Sequence, residues 1–263
     1  MKRMRREGAA ATLLAFALTL PGAITAGAQS PKARPSMPNS FVYLRDVDPS
    51  ILQDMRYAGA NNFTGRKLAG YEAAECVVTR KVAEALARVQ QELKPRGLSL
   101  KMLDCYRPQR ASRAMAAWAG GGETPAQKRF YPKLDKRNLF GLGYIAAYSA
   151  HSTGAAVDLT LVELAADNRA EFDPGASYAD CTQPAAKRAP EGSIDMGTGY
   201  DCFDITSHTS AASITSEQRN GRQTLLAAMR RQGFVNYFRE WWHFSLPGAG
   251  GGSADFPIVS RPQ

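Results

Sequence analysis

The sequence lacks several features that would assign it to large classes of protein. After residue 6 it has no dense run of lysine or arginine, which argues against a nucleic-acid partner. After one N-terminal apolar segment it has no second apolar run of the roughly 20 residues that a membrane-spanning helix needs. It also has no internal repeat, which argues against a solenoid or another repeat architecture.

Cysteine is scarce, and no Cys-x-x-Cys pair occurs, which argues against a four-cysteine metal site. The four cysteines are Cys76, Cys105, Cys181 and Cys202. An even number in a secreted chain is typical of disulfides, and four cysteines allow three pairings. Cys76 precedes a predicted helix and Cys105 ends the next predicted strand, so the two could lie side by side. We therefore favour Cys76–Cys105 and Cys181–Cys202.

The N-terminal segment has the three parts of a secretory signal peptide. A basic stretch, Lys2–Arg6, precedes the apolar run Ala9–Leu20, and the small residues Ala26–Ala28 follow. We expect residues 1–28 to be removed, which makes the protein secreted and periplasmic. A membrane anchor is the alternative, but the apolar run is short for a span. The mature chain is expected to contain no membrane span.

Without residues 1–28, the chain keeps 29 basic and 23 acidic residues, a net charge of +6. This charge is mild and spread out. We interpret it as a solubility feature or as tolerance of an anionic cell wall. The remaining 235 residues suffice for one large domain with a core of its own.

Helices and strands are intermixed without a regular βαβ rhythm, which predicts an α+β fold. We expect a flexible leader at 29–40, one domain at 41–263, and an irregular inserted loop at 162–194 within it. Apolar spacing predicts helices at 79–93, 110–118 and 216–232. Alternation predicts strands at 41–44, 98–105, 155–161, 234–238 and 240–246.

Residues 149–161, SAHSTGAAVDLTL, contain His151 and Asp158 on either side of a run of small residues. Gly154 disfavours a helix, so we expect His151 on a turn and Asp158 on the strand that leaves it. The alternation of this strand places Asp158 opposite its apolar face. That face comprises Val157, Leu159 and Leu161.

A second motif, Glu-Trp-Trp-His at 240–243, supplies another histidine and a carboxylate. Zinc in hydrolases commonly has three protein ligands and an open position for water, which His151, Asp158 and His243 could provide. Glu240 is then the natural general base, provided that the chain bends between it and His243. The two tryptophans could wall the site. The alternative is a surface glutamate and a core histidine in an aromatic strand.

Two further residues have alternative interpretations. Arg107 carries a permanent charge and could stabilise an oxyanion, although a surface ion pair is the commoner role of an arginine in a turn. His208 could be a fourth metal ligand. We favour a loop or supporting role for His208, because catalysis needs an open metal position.

Four motifs, in this order, resemble those of the zinc D-alanyl-D-alanine dipeptidases of the vancomycin-resistance type. They are Asn-Phe-Thr-Gly at 62–65, Tyr-Arg-Pro at 106–108, Ser-x-His-x-x-Gly-x-Ala-x-Asp at 149–158 and Glu-Trp-Trp-His at 240–243. The likeness extends from about residue 41 to residue 259. It implies a central antiparallel sheet flanked by helices with a zinc site at the sheet, as in related D,D-peptidases and hedgehog-like domains.

The resemblance also implies roles for individual residues. One Zn²⁺ per chain would be held by His151, Asp158 and His243. Glu240 would act as base and then as acid, and Arg107 would hold the oxyanion. The substrate-binding residues would be Asp201 at the free amino terminus, Tyr57 near the same end, and Ser149 beside the substrate.

The implied activity is hydrolysis of the dipeptide D-Ala-D-Ala, derived from the cell wall if the chain is secreted. One alternative is a zinc D,D- or L,D-carboxypeptidase that trims peptidoglycan stem peptides. Asp201 distinguishes the two, because a site for a free amine excludes acylated peptides. Another alternative is a wall-binding module without catalysis, against which Glu240 and Arg107 argue. The insertion at 162–194 could reshape the pocket and its selectivity.

Overall fold

The computed structural model of the protein describes residues 36–169 and 171–262. The predicted signal peptide and the first part of the predicted leader lie outside these residues. Residues 36–40 form neither a helix nor a strand. Within the described part of the chain, no helix combines the length and apolar character needed to cross a bilayer.

The described residues form an α+β arrangement of helices around one main sheet. The strands are β1 (Phe41–Tyr43), β2 (Leu52–Gln53), β3 (Val77–Thr79), β4 (Leu98–Asp104), β5 (Ala156–Glu163), β6 (Val235–Asn236) and β7 (His243–Ser245). The helices are α1 (Leu44–Val47), α2 (Arg80–Leu93), α3 (Gln109–Ala119), α4 (Pro125–Lys128) and α5 (Ser216–Arg231).

The long helices form where apolar residues recur at helical spacing and where the chain supplies caps. Helix α2 buries Val82, Leu86 and Val89 on one face, and the chain leaves it through a Lys-Pro-Arg turn that ends at Gly97. Helix α5 begins with a capping box in which Thr215 and Gln218 satisfy each other's backbone N–H groups. The helices predicted at 79–93, 110–118 and 216–232 are therefore confirmed, with ends shifted by about one residue.

The main sheet has five strands in the order β2-β4-β5-β7-β6, and β1 pairs with β3 separately. Strand β2 runs parallel to β4, whereas the other three pairings are antiparallel. The sheet is therefore mixed, whereas an antiparallel sheet was expected. The register places Asp104 opposite Asp158, and Asp158 opposite His243. Three polar residues therefore lie in one row across β4, β5 and β7.

The two faces of β5 have different surroundings. Val157, Leu159 and Leu161 belong to a large apolar core that includes residues of α2 and α5. Asp158 points to the opposite face and lines a cavity, as the alternation predicted. A second, aromatic cluster packs beyond that cavity, and its members Tyr57, Phe63 and Phe203 form part of the cavity wall.

The aromatic C-terminal strands are shorter than the alternation predicted. Strand β6 keeps two residues and β7 three, and the chain between them forms a turn that contains Glu240. The Asn236 side chain closes this turn by donating hydrogen bonds to the carbonyls of Glu240 and His243, both at 2.9 Å. At the other end of the fold, Leu44 begins α1 instead of ending β1.

Gly154 gives a test of the turn before β5. Its φ is +73°, and an added Cβ would lie 2.3 Å from a ring carbon of Phe41, which packs edge-on against Tyr106 and Phe256. Gly97 has a similar φ of +71° but has no neighbouring atom within 4 Å of an added Cβ. We expect Gly97→Ala to reduce the free energy of unfolding by about 1–2 kcal/mol, the cost of left-handed backbone.

Gly154→Ala should cost at least about 1 kcal/mol more than Gly97→Ala, because overpacking adds to the same backbone cost. Urea denaturation of the two variants, followed by circular dichroism, measures the difference. Equal destabilisation would show that the contact with Phe41 does not restrict this turn.

Candidate functional site

A turn and two adjacent strands bring together three side chains of the types that bind metal ions. His151 lies on the short 3₁₀ turn Ala150–Thr153, and the Ser149 hydroxyl accepts a hydrogen bond from the backbone N–H of His151 at the start of this turn. Asp158 and His243 are paired neighbours on β5 and β7. Among the described residues, these three form the cluster of histidine and carboxylate groups capable of holding a metal ion.

The separations of the three donor atoms fit a small tetrahedral ion. His151 Nε2 lies 3.1 Å from His243 Nδ1 and 3.3 Å from Asp158 Oδ1, and His243 Nδ1 lies 2.9 Å from the same Asp158 oxygen. Zinc bonds of about 2.0–2.1 Å in a tetrahedron place neighbouring ligand atoms about 3.3 Å apart. Two imidazoles and one carboxylate are also a typical ligand set of catalytic zinc.

The histidine rings are held by their second nitrogens. His151 Nδ1 lies 2.8 Å from the Cys105 carbonyl oxygen and donates to it, which leaves Nε2 free to act as a ligand. His243 has the opposite arrangement: its Nδ1 faces Asp158, and its Nε2 lies 3.5 Å from the Ser245 hydroxyl. The backbone around Cys105 therefore fixes the orientation of one candidate ligand.

Glu240 lies beside the donor cluster without belonging to it. Its Oε2 is 3.9 Å from His243 Nδ1, because the backbone N–H of His243 bonds to the Glu240 carbonyl and bends the chain between them. Burial, together with the negative charges of Asp158 and Asp201, raises the pKa of Glu240 well above its ordinary value. A carboxylate with a raised pKa is suited to accept a proton and return it.

The Arg107 guanidinium is held against the cavity by a buried carboxylate. Arg107 Nε and Nη2 donate to Asp104 Oδ2 at 2.9 and 2.7 Å, and Tyr71 donates to the other Asp104 oxygen at 2.6 Å. The guanidinium stands 5.0 Å from the centre of the Tyr57 ring, and its Nη2 is 3.7 Å from Asp158 Oδ2. Its position is therefore set before any ligand arrives.

Asp201 occupies the same cavity under unusual constraints. It is the one residue other than glycine with a positive φ, +56°, in the part of the chain that the structure describes. This conformation costs an L-residue about 1–2 kcal/mol. The Tyr57 hydroxyl donates to Asp201 Oδ2 at 2.7 Å. Burial and the nearby charge of Asp158 raise the pKa of Asp201 well above its ordinary value, so a cation beside it would favour its ionised form.

Tyr200, the residue before Asp201, connects the substrate side of the cavity to the donor cluster. Its hydroxyl donates to Asp158 Oδ2 at 2.8 Å, and its ring packs edge-on against Trp242. The Asp158 oxygen that faces the two histidines is therefore Oδ1, while Oδ2 is held by Tyr200. Hydrogen bonds of this kind orient a metal ligand and adjust its basicity.

The cavity has a volume of about 310 Å³ and is open to solvent on one side. Three carboxyl groups line it, those of Asp158, Asp201 and Glu240, against the single guanidinium of Arg107. This excess of acidic groups suits a divalent cation and an ammonium group together, because cations favour the ionised forms of these carboxyl groups. Tyr57 and Ser149 also line the cavity, so all eight residues expected to form the site border one space.

Some features differ from the sequence interpretation. The two tryptophans do not wall the cavity: Trp241 and Trp242 are buried in the apolar core, and Trp241 Nε1 donates to Thr198. His208 packs its ring against Phe238 and is not part of the donor cluster. His208 therefore does not serve as a fourth ligand in this arrangement.

Sequence reasoning missed three supporting residues: Asp104, Tyr71 and Tyr200. Asp104 lies three residues before Arg107, and Tyr200 lies immediately before Asp201, so their positions near predicted site residues were a usable signal. Tyr71 had no such signal, because only the fold brings it to Asp104.

Comparisons with known proteins match this chain to one family. A family model described as D-ala-D-ala dipeptidase matches residues 37–190 and 165–260. The D-alanyl-D-alanine dipeptidase of Enterococcus faecium is 32% identical over 207 residues, which cover 78% of this chain and 91% of that protein. The protein of the same name from Streptomyces coelicolor is 33% identical over 211 residues, with 80% and 93% covered. That of Escherichia coli is 29% identical over 221 residues, with 84% and 89% covered.

The contact between Tyr200 and Asp158 predicts a loss of metal affinity in Tyr200→Phe, which keeps the ring but removes the hydroxyl. Loss of such a supporting hydrogen bond weakens metal binding by about 10–100-fold. Tyr57→Phe is the matched control, because the Tyr57 hydroxyl bonds to Asp201 and not to a donor. Zinc competition against a chromogenic chelator measures both affinities. Equal affinities in the two variants would contradict this role of Tyr200.

Proposed function

This chain belongs to the D-Ala-D-Ala dipeptidase family of metallopeptidases, and on that premise we propose that it hydrolyses the free dipeptide D-Ala-D-Ala with one zinc ion. The observation that carries the proposal is that one cavity combines a zinc-type donor set with a separate buried carboxylate, Asp201. A donor set alone would suit many hydrolases. Among the described residues, no cationic side chain forms an ion pair with Asp201, and such a buried carboxylate suits a substrate that brings its own ammonium group.

His151, Asp158 and His243 would hold the zinc ion, since their donor atoms already have the separations that it needs. When bound, zinc lowers the pKa of a water ligand to about 7 and polarises a carbonyl oxygen. The surrounding residues do not need to move to receive it, because hydrogen bonds from Tyr200 and to the Cys105 carbonyl already orient two of the ligands.

Glu240 would move the proton in this reaction. Its carboxylate lies at the edge of the donor cluster, 3.9 Å from a ligand nitrogen, where an attacking water could lose a proton to it. The same carboxyl group would then give that proton to the amine that leaves as the peptide bond breaks. The raised pKa of Glu240, caused first by burial, supports the second half of this role.

Arg107 and Asp201 would recognise charge at different places on the substrate. Arg107, held by Asp104, presents a fixed positive charge to the oxygen that becomes negative during attack. Asp201, held by Tyr57, would pair with the ammonium group of the dipeptide. Ser149 stands in the cavity wall next to the His151 turn and would contact the substrate beside the reacting bond.

We also propose that the protein works outside the cytoplasm, in the periplasm, after removal of residues 1–28. Two disulfides, Cys76–Cys105 and Cys181–Cys202, support this location, because such bonds persist in oxidising compartments. The pairing that the sequence favoured is thus the one that forms. A dipeptidase in that compartment would consume D-Ala-D-Ala released from peptidoglycan.

The test is to compare turnover of D-Ala-D-Ala with turnover of its N-acetylated form. Acetylation removes the positive charge and leaves the buried Asp201 with the Tyr57 hydroxyl but without the substrate ammonium, and a hydrogen bond to a charged group contributes about 1.5–3 kcal/mol. We therefore expect kcat/KM to fall by about 10–100-fold or more on acetylation. The matched variant Asp201→Asn should lose most of this discrimination. Equal rates on both substrates would contradict the dipeptidase proposal and favour a carboxypeptidase.

A further inference from the structure

Asp201 needs support from its neighbours, because its backbone is in a conformation that residues with a side chain rarely adopt. If the backbone relaxed to a common conformation, its carboxyl group would leave the cavity and the Tyr57 hydroxyl. The strain described above corresponds to roughly 5- to 30-fold in a conformational equilibrium. The structure around Asp201 must therefore supply restraints of at least this strength.

Cys181 supplies two of these restraints, one on each side of Asp201. Its sulfur is bonded to Cys202, the residue immediately after Asp201. Its carbonyl oxygen accepts a hydrogen bond from the backbone N–H of Gly199, two residues before Asp201, at 2.9 Å. Cys181 therefore fixes both ends of the four-residue stretch 199–202.

Cys181 is itself attached to the body of the protein. Its N–H donates to the Arg129 carbonyl at 2.8 Å, and the N–H of Phe203 donates to the neighbouring Phe130 carbonyl at 2.7 Å. The chain around Cys181 and the chain just after Cys202 are thus both hydrogen-bonded to the same two residues, Arg129 and Phe130. Another residue of the predicted insertion, Glu191, accepts a hydrogen bond from the N–H of Tyr200 at 2.9 Å.

We propose that the Cys181–Cys202 disulfide is a positioning element for substrate selectivity: it holds Asp201 where the carboxyl group meets the substrate ammonium. The proposal rests on the dipeptidase function and extends it to the insertion at 162–194, which contains Cys181. The insertion thereby contributes to recognition of the free amine, although none of its described residues lines the cavity.

The other disulfide gives an internal comparison, because it supports a different part of the site. Cys105 lies between Asp104, which holds Arg107, and Tyr106, and its carbonyl accepts the hydrogen bond from His151. The Cys76–Cys105 bond therefore adjoins the residues expected to act on the reacting bond. The Cys181–Cys202 bond adjoins the residue expected to bind the amine.

The two disulfides should consequently affect different kinetic constants. We expect Cys181→Ala/Cys202→Ala to raise KM for D-Ala-D-Ala by about 5- to 30-fold, the equilibrium factor given above, while kcat changes by less than about 3-fold. The discrimination in kcat/KM between D-Ala-D-Ala and its N-acetylated form should also fall in this variant. Cys76→Ala/Cys105→Ala should mainly reduce kcat. Zinc content should remain at one ion per chain in the Cys181/Cys202 variant.

A double-mutant cycle with Asp201→Asn distinguishes an effect on the position of Asp201 from a general destabilisation of the fold. In that background, removal of the Cys181–Cys202 bond should change KM by less than about 2-fold, since residues that act through one another are not additive. An independent KM increase in the Asp201→Asn background would overturn the proposal. So would an unchanged KM in the Cys181/Cys202 variant, or an equal KM increase in the Cys76/Cys105 variant.

Circular dichroism establishes whether each variant folds. If the Cys181/Cys202 variant does not, the wild-type protein is treated with graded reductant, and alkylation with mass spectrometry identifies the molecules in which only this bond is open. Their KM must rise as above, and an unchanged KM overturns the proposal. A wild-type protein that binds zinc but does not hydrolyse D-Ala-D-Ala would instead contradict the proposed function, and this inference with it.

Discussion

The Asp158 carboxylate is the group on which the arrangement of the site depends. One of its oxygens faces both histidine donors, and the other accepts the Tyr200 hydroxyl and approaches Arg107. Burial alone would raise its pKa, but the neighbouring His151 and His243 hold the pKa of Asp158 below its ordinary value. A buried carboxylate remains ionised only with such partners. The neighbours of Asp158 therefore keep its carboxylate ionised, and the carboxylate in turn holds these neighbours in position.

The site has two parts that the chain constructs in different ways. Two of the three proposed metal ligands, Asp158 and His243, rest on regular structure, where strand register places them in a row with Asp104. The part proposed to bind the amine rests on an irregular segment, where a disulfide and backbone hydrogen bonds flank Asp201 and its positive φ. Tyr200 joins the two parts through its bond to Asp158. In the proposed function, the residues for the reaction and those for substrate choice thus come from separate structural elements that meet in one cavity.

This division explains how much of the molecule could be predicted from the sequence. The positions of His151 and Asp158 could be predicted because the glycine turn and the alternation that follows it are local patterns. The long helices could be predicted because their apolar spacing is also a local pattern. The lengths of strands β6 and β7 were overestimated, because hydrogen bonds from the Asn236 side chain stabilise a turn where the alternation predicted longer strands. The contact of Tyr71 with Asp104 depends on the approach of distant segments, and the positive φ of Asp201 depends on its restraints. No local pattern records either.

The most direct test of the account is to measure zinc content and D-Ala-D-Ala turnover on the same preparations of the wild type and of Glu240→Gln. Three residues are proposed to bind the metal, and a fourth, Glu240, to transfer the proton. We therefore predict one zinc ion per chain in both proteins, turnover in the wild type that a chelator abolishes, and a loss of turnover of about 10²–10⁴-fold in the variant. Turnover by the metal-free protein, or normal turnover by Glu240→Gln, would contradict this prediction.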